Sequence, residues 1–324
     1  MPISTNASYI PTLDTFSAHW GKCNTALGAT PLLAVPPGKP SCSRAQLDTL
    51  GQNLLLAQTK VQGSINDQEI ARGDIDLQKA ALLKTLNAFI DTMEAYYQGT
   101  KFYNAKPLAP GIGEGQERFT RPMVDAMTLW EKLNGAAAPQ GVTLPLLVNG
   151  GVDQGGFASA VASLQLAYRA EATAGQDVNV ARTDRNLIQE RVYEVLKAYR
   201  LAVPAKCGQF PNLLATLPKL TPEPGHTPDP VQASATYVAP STSHIVWTAS
   251  TDADLDYYDI EGTNGPEWKA DDAIHLGRVQ AGAPTVFDAT FGLTQAGTSV
   301  ALKVFTVLKT GNQAGSATLV VTRP

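Results

Sequence analysis

From Leu47 onward a bulky residue returns at every seventh position, through Leu54, Val61, Gln68, Ile75, Leu82, Phe89 and Tyr96. A second run reads Phe157, Leu164, Glu171, Val178, Arg185, Val192 and Tyr199, with Ala160, Ala167, Ala174 and Ala181 three residues after successive members. A seven-residue period predicts long helices packed side by side at shallow angles, and alanine in the second seam lets them approach closely. Ser43 followed by Gln46 fits a capping box at the start of the first long helix. Gly63–Asp67 and Ala174–Asp177 carry turn residues. The register continues across both, which favours continuous or kinked helices; a hairpin at each is the alternative. Pro204 is expected to end the second helix, since proline is poorly tolerated in a helix interior.

The two runs are related by a constant offset of 130 − 20 = 110, set by Trp20 and Trp130. At that offset Lys22 matches Lys132, Asn24 matches Asn134, Leu54 matches Leu164, and Leu56-Ala57 matches Leu166-Ala167. Leu77 matches Leu187, Leu86 matches Leu196, Ala88 matches Ala198, and Phe89 falls on Tyr199. Most of these read as packing positions, so the region is expected to be an antiparallel helical bundle of two tandem pseudo-symmetric repeats, about 8–105 and about 118–209. A short amphipathic helix opens each repeat. Pro11–Leu27 carries Leu13, Phe16, Trp20 and Cys23 on one stripe, and Thr120–Leu133 carries Met123, Met127 and Trp130. Pro31-Leu32-Leu33 and Pro145-Leu146-Leu147 follow them in loops.

Residues 217–230 are proline-rich and predict a stiff extended connector between a helical region at 1–216 and a different domain at 231–324. Beyond the connector the period becomes alternating. Strands are expected near Ala233–Val238, His244–Thr248, Tyr257–Glu261, Ile274–Val279, Thr285–Ala289, Ser299–Val307 and Ser316–Thr322, the pattern of a small β-sandwich. Trp247, with Asp252, Leu255 and Tyr258 after it, resembles the B-strand tryptophan, BC loop and C-strand tyrosine of a fibronectin type III domain. Leu293, Gly297 and Thr298 resemble its E-to-F corner, and Asn312–Ser316 its FG turn. Val300 stands where that family usually has an F-strand tyrosine, which leaves the tyrosine-based corner without its residue. The resemblance implies a spacer or binding module and no catalysis.

Composition narrows the function classes. In 324 residues the formal charge is −4 and the basic residues are dispersed, so there is no electrostatic footprint for nucleic acid. No apolar run is long enough to span a membrane, and Met1–Ile10 lacks the pattern of a secretory signal. A cytoplasmic protein, or one assembled or exported without a cleaved signal, is expected. Cys23, Cys42 and Cys207 are too few and too scattered for a disulfide framework or a zinc knuckle; Cys23 and Cys42 flank one loop and are the pair that could bridge on export.

The candidate motifs have plainer readings. Arg72-Gly73-Asp74 spells an adhesion tripeptide, but its counterpart is Arg182-Thr183-Asp184, so Arg and Asp are the shared elements and salt bridging is expected. Asp252, Asp254 and Asp256 alternate as hard-cation ligands can, yet lack the glycine and terminal glutamate of an EF-hand. The Gly111–Gly115 segment lacks the lysine of a phosphate loop. His19, His226, His244 and His275 form no catalytic spacing. Tyr96, Tyr97, Phe102 and Tyr103 are expected to cap the bundle core. No catalytic, cofactor or metal residue is assigned. The expectation is a non-enzymatic structural or interaction protein, a subunit of a larger assembly that binds protein partners or itself. A glycan- or protein-binding module gripping its ligand near Trp268 and Asp271 is the alternative, and a hydrolase the weaker one.

Overall fold

The computed structural model describes residues 2–324. Five α-helices come first: α1 (Tyr9–Leu27), α2 (Arg44–Tyr96), α3 (Gln116–Asn134), α4 (Gln154–Cys207) and the short α5 (Pro211–Ala215). Eight strands follow: β1 (Ala233–Val238), β2 (Thr242–Trp247), β3 (Leu255–Asn264), β4 (Ile274–Gln280), β5 (Val286–Ala289), β6 (Ser299–Leu308), β7 (Gln313–Gly315) and β8 (Leu319–Thr322). Helices α2 and α4 are continuous over 53 and 54 residues, so neither turn signal makes a hairpin. The capping box forms, with Ser43 N–H on Gln46 Oε1 at 2.8 Å and Gln46 N–H on Ser43 Oγ at 3.4 Å. Pro204 does not end α4, which runs on to Cys207. Proline removes only its own donor, and the next three N–H groups still reach carbonyls one turn back.

The chain divides into two compact units, Met1–Gly63 with Asn179–Pro324, and Ser64–Val178. The division falls inside α2 and α4, and not at 217–230. The smaller unit packs Leu82, Leu86 and Phe89 of α2 against Phe119, Met123 and Trp130 of α3 and Phe157 and Leu164 of α4. Trp130 stacks on Phe89 at 4.9 Å, and its indole N–H donates to Leu146 O at 3.1 Å. Leu146 N–H in turn donates to Asn134 Oδ1 at 2.8 Å. A buried indole N–H needs such an acceptor.

In the larger unit, Leu13, Phe16, Trp20 and Cys23 of α1 pack against Leu47 and Leu54 of α2 and Val192, Leu196 and Tyr199 of α4. Trp20 stacks on Tyr199 at 4.4 Å and donates to Leu32 O at 3.0 Å, while Leu32 N–H donates to Asn24 Oδ1 at 2.9 Å. The proline-rich segment is not a free connector. Leu220 joins this core, its carbonyl accepts from Ile3 N–H at 2.9 Å, and Glu223 N–H donates to Thr310 O at 2.9 Å.

The C-terminal region is all-antiparallel, with β1-β2-β5 in one sheet and β4-β3-β6-β7 in the other, where β8 also pairs with β6. Trp247 and Tyr258 meet edge to face at 5.3 Å in the core between the sheets, beside Ile245, Ile260, Val300 and Leu302. Trp247, Tyr258 and Leu293, quoted for the fibronectin resemblance, thus belong to one core.

Several seam expectations fail. Leu56, Leu77, Leu166 and Leu187 are exposed, as are Tyr96 and Ala160. Each helix buries only the positions that face a neighbour, and these lie elsewhere on their helices. Tyr97, not Tyr96, closes the smaller core.

Candidate functional site

The polar residues that converge most densely lie on β3, where eight consecutive residues from Tyr257 to Asn264 are buried. Alternation along a strand sends successive side chains to opposite faces. Tyr258 and Ile260 enter the sandwich core. Gly262 has no room for a side chain, because a Cβ there would meet Leu276, Leu302 and Phe291. Tyr257, Asp259, Glu261 and Thr263 point the other way, where an antiparallel sheet commonly meets water. Here residues of the N-terminal segment and the long helices cover them.

Thr5 Oγ1 donates to Glu261 Oε1 at 2.9 Å, and Gln62 Nε2 donates to Asp272 O at 2.6 Å. Asn6 Nδ2 donates to Asp271 O at 3.0 Å, and Arg185 of α4 also donates to that carbonyl. Arg182 grips Asp272 with both arms of its guanidinium, at 2.8 Å and 2.5 Å. Bidentate pairing of this kind is among the strongest polar contacts available. The Asp272 hydrogen bond raises the pKa of Arg182 above its ordinary value, whereas burial lowers that of Arg185. His275 Nδ1 sits 2.8 Å from Asp259 Oδ1.

Asp259 and Glu261 are each only 1% exposed. Burial, with Asp259 as a like charge, pushes the Glu261 carboxyl up to about 8, so it is largely protonated at neutral pH. Burial also raises the Tyr257 hydroxyl, whose ring lies under Arg278 at 3.8 Å. Two carboxyl groups and an imidazole are general acid–base equipment; here both carboxyl groups are buried and His275 is partly exposed. Among the described residues no group of His, Cys, Asp and Glu is placed to hold a metal ion. A cavity of about 470 Å³ lies in the smaller unit, lined by Gln78, Leu82, Thr85, Asp153, Phe157 and Ser163.

The other motifs take structural places. Arg72 pairs with Glu69 at 2.8 Å and with Glu171 at 3.1 Å, on helix α2 and not on a display loop. Asp252 accepts from Asp254 N–H at 2.9 Å and lies 2.7 Å from His226 Nε2, so this acidic run is held as a turn. Lys79 donates to the carbonyls of Ile112 and Glu114 at 3.1 Å and 2.9 Å, pinning the glycine-rich segment. Trp268 is half-buried, 6.1 Å from Phe305 and beneath Lys303, and the Asp271 carbonyl is already engaged. Cys23 contacts Tyr199 at 3.4 Å, while the Cys42 thiol donates to Ser43 O at 3.5 Å, so these two thiols have separate partners.

Sequence reasoning found Arg182 through its repeat spacing but missed Asp259, Glu261, Asp272 and Arg185 as a set. The legible signal was a strand with acids at alternate positions beside an Asp-Asp pair; nothing in the order of residues told which surface covers them.

No protein-family model matches the chain, and no curated protein is similar to it in sequence. Solved structures similar to it include a Fn3-like protein from Clostridium thermocellum, at 17% identity and TM-score 0.25, covering 31% of this chain and 96% of that one. The chicken CNTN1 FN1-FN3 domains match at 16% identity and TM-score 0.26, covering 33% of each chain. A pectate lyase from Erwinia chrysanthemi, solved with tetragalacturonic acid, matches at 12% identity and TM-score 0.24, covering 28% of each chain. The similar structures thus include fibronectin-type proteins at low coverage, and among the described residues no helix is long and apolar enough to cross a membrane.

Proposed function

We propose that this chain is a non-enzymatic structural protein, one subunit of a larger assembly, in which a duplicated helical unit supplies the contact surface and the fibronectin-like sandwich is a spacer or recognition head. Duplication is supported by the paired environments of Trp20 and Trp130. Each indole donates to the leucine carbonyl of a Pro-Leu-Leu loop, and each stacks on the long helix of the other copy, on Tyr199 or Phe89, which are themselves 199 − 89 = 110 apart.

The observation that carries the assembly reading is that exposed apolar residues recur in both copies. Leu56 and Leu166, Ile70 and Val180, and Leu77 and Leu187 are each 110 apart, and all six are between 55% and 72% exposed. Within α2 these positions keep a seven-residue spacing, with Gly63 between Leu56 and Ile70. On α2 that is a second coiled-coil-like row of apolar positions, and it is exposed. Exposed apolar surface on a soluble protein marks an interaction site when it is patterned.

Light scattering coupled to size-exclusion chromatography over rising concentration tests the reading. Self-association that is lost when Leu77 and Leu187 are both changed to Glu, with helicity unchanged, supports it. A monomer at every concentration, with no response to those substitutions, overturns it.

A further inference from the structure

The segment after each long helix meets a short helix, and the two meetings differ. Beyond α4, the residues of α5 and just after it lie on α1. There the Leu213 carbonyl sits 2.9 Å from His19 Nε2, and Leu213, Leu214 and Leu217 pack against the core to which α1 contributes. Beyond α2, the positions 110 residues earlier are Tyr103, Asn104 and Pro107, with no leucine among them, and only one short turn of helix forms, Tyr103–Ala105. A cleft of about 840 Å³ is open there, lined by residues of this segment and of α3.

The lining is basic. Lys101, Lys106, Arg121 and Lys132 face a single acid, Asp125, in a chain whose formal charge is −4. At the 110-residue offset the first three correspond to Pro211, Thr216 and Pro11, and only Lys132 has a basic counterpart, Lys22. Lys106 pairs with Glu94, and Lys101 Nζ lies 5.1 Å from the centre of the Phe102 ring. Among the described residues Lys101, Arg121 and Lys132 form no ion pair, although Glu117 and Asp125 stand one turn to either side of Arg121 on α3. Arg121 and Lys132 are 132 − 121 = 11 residues apart, which puts them on one face of α3 and about 16 Å apart along its axis. One small anion does not span that distance, whereas five or six extended residues do, at about 3.3 Å each. Partly buried Phe102 and Leu108, which is 82% exposed, add apolar surface beside the charges.

We propose that this cleft docks an acidic segment of a partner protein, one in which aspartate or glutamate alternates with apolar residues. A stretch of polypeptide is what the fold itself supplies at the matching place, where α5 lies on α1. There leucines seal the contact; here unpaired bases replace them and select acids. Complementary charge steers such a segment to the cleft, and salt screens the attraction. The inference rests on the reading of this chain as an interaction protein, but it uses none of the exposed leucines at positions 56, 77, 166 and 187. Self-association through those leucines and peptide docking at α3 therefore stand or fall separately.

The test titrates the full chain into a fluorescein-labelled peptide of alternating Asp-Leu and Glu-Leu pairs and follows fluorescence anisotropy. Saturable binding that weakens as salt is raised is expected, with no binding of a peptide carrying Lys in place of the acids. The double variant Arg121→Gln, Lys132→Gln should lose at least about tenfold in affinity, Asp125→Lys should bind more tightly, and Lys22→Gln should bind like the unaltered chain. All four positions are exposed, so circular dichroism should be the same for every variant. Absence of saturable binding, an unchanged affinity in the double variant, or an equal loss with Lys22→Gln overturns the proposal. Binding of inorganic tripolyphosphate with the acidic peptide left unbound assigns the cleft to a small polyanion and overturns it as well.

Discussion

Glu261→Gln isolates the electrostatics of the covered β3 face. In the folded protein burial and Asp259 push the Glu261 carboxyl from 4.5 to about 8, while Lys303 and the Thr5 hydroxyl pull the other way. The folded state therefore keeps the proton up to about pH 8, whereas the unfolded chain releases it near 4.5. Between those values the folded state binds more protons, and stability falls as pH rises: the contribution is intact below about 4.5 and gone above about 8. At 1.36 kcal/mol per factor of ten, the interval from 4.5 to about 8 corresponds to an upper bound of about 5 kcal/mol. Relaxation and water entry at high pH reduce that, so a fall of roughly 2–5 kcal/mol is expected. Glutamine is neutral throughout, keeps the shape, and still accepts from Thr5. Urea unfolding followed by fluorescence at pH steps from 5 to 9 should show the unaltered chain losing stability across the window. The E261Q protein should lose much less, so that it is the more stable of the two at high pH. Parallel profiles for the two proteins would refute the reasoning.

Other substitutions probe separate contacts. Asp272→Ala strips both guanidinium arms of half-buried Arg182 of their acceptor and removes the carboxylate 4.0 Å from buried Arg185, at a cost of about 3–5 kcal/mol; hydrogen exchange at β3 and β4 should accelerate, and unchanged exchange would remove that role. Trp20→Phe and Trp130→Phe each leave a leucine carbonyl without its indole donor, so each should lower stability by about 1–3 kcal/mol and by similar amounts, and a thermal melt in which one was silent would contradict the shared environment. Ser43→Ala removes one arm of the α2 capping box and should cost about 1 kcal/mol, read as a lower denaturant midpoint with unchanged slope.

Much of the architecture was legible in residue order because it depends on local periodicity. The seven-residue spacing reports which side of a helix is apolar, and the register running through Gly63–Asp67 favoured a continuous or kinked helix over a hairpin; α2 is continuous. Alternation likewise located most strands, and Trp247 with Tyr258 located the sandwich core. The 110-residue offset was visible as arithmetic, since equal offsets need no coordinates.

Tertiary structure decided everything that depends on which surfaces meet. Apolar character does not say whether a residue is covered, and Leu56 and Leu77 each have a leucine 110 residues further on yet are exposed. Acids at alternate strand positions suit a solvent face, and only the arrival of Thr5, Gln62, Arg182 and Arg185 turns Asp259, Glu261 and Asp272 into a covered polar cluster. Proline-rich composition predicted stiffness at 217–230, but the fate of that segment rested on Leu220 finding a core. Periodicity is a property of neighbours in sequence. Desolvation, and with it the raised carboxyl of Glu261, is a property of neighbours in space.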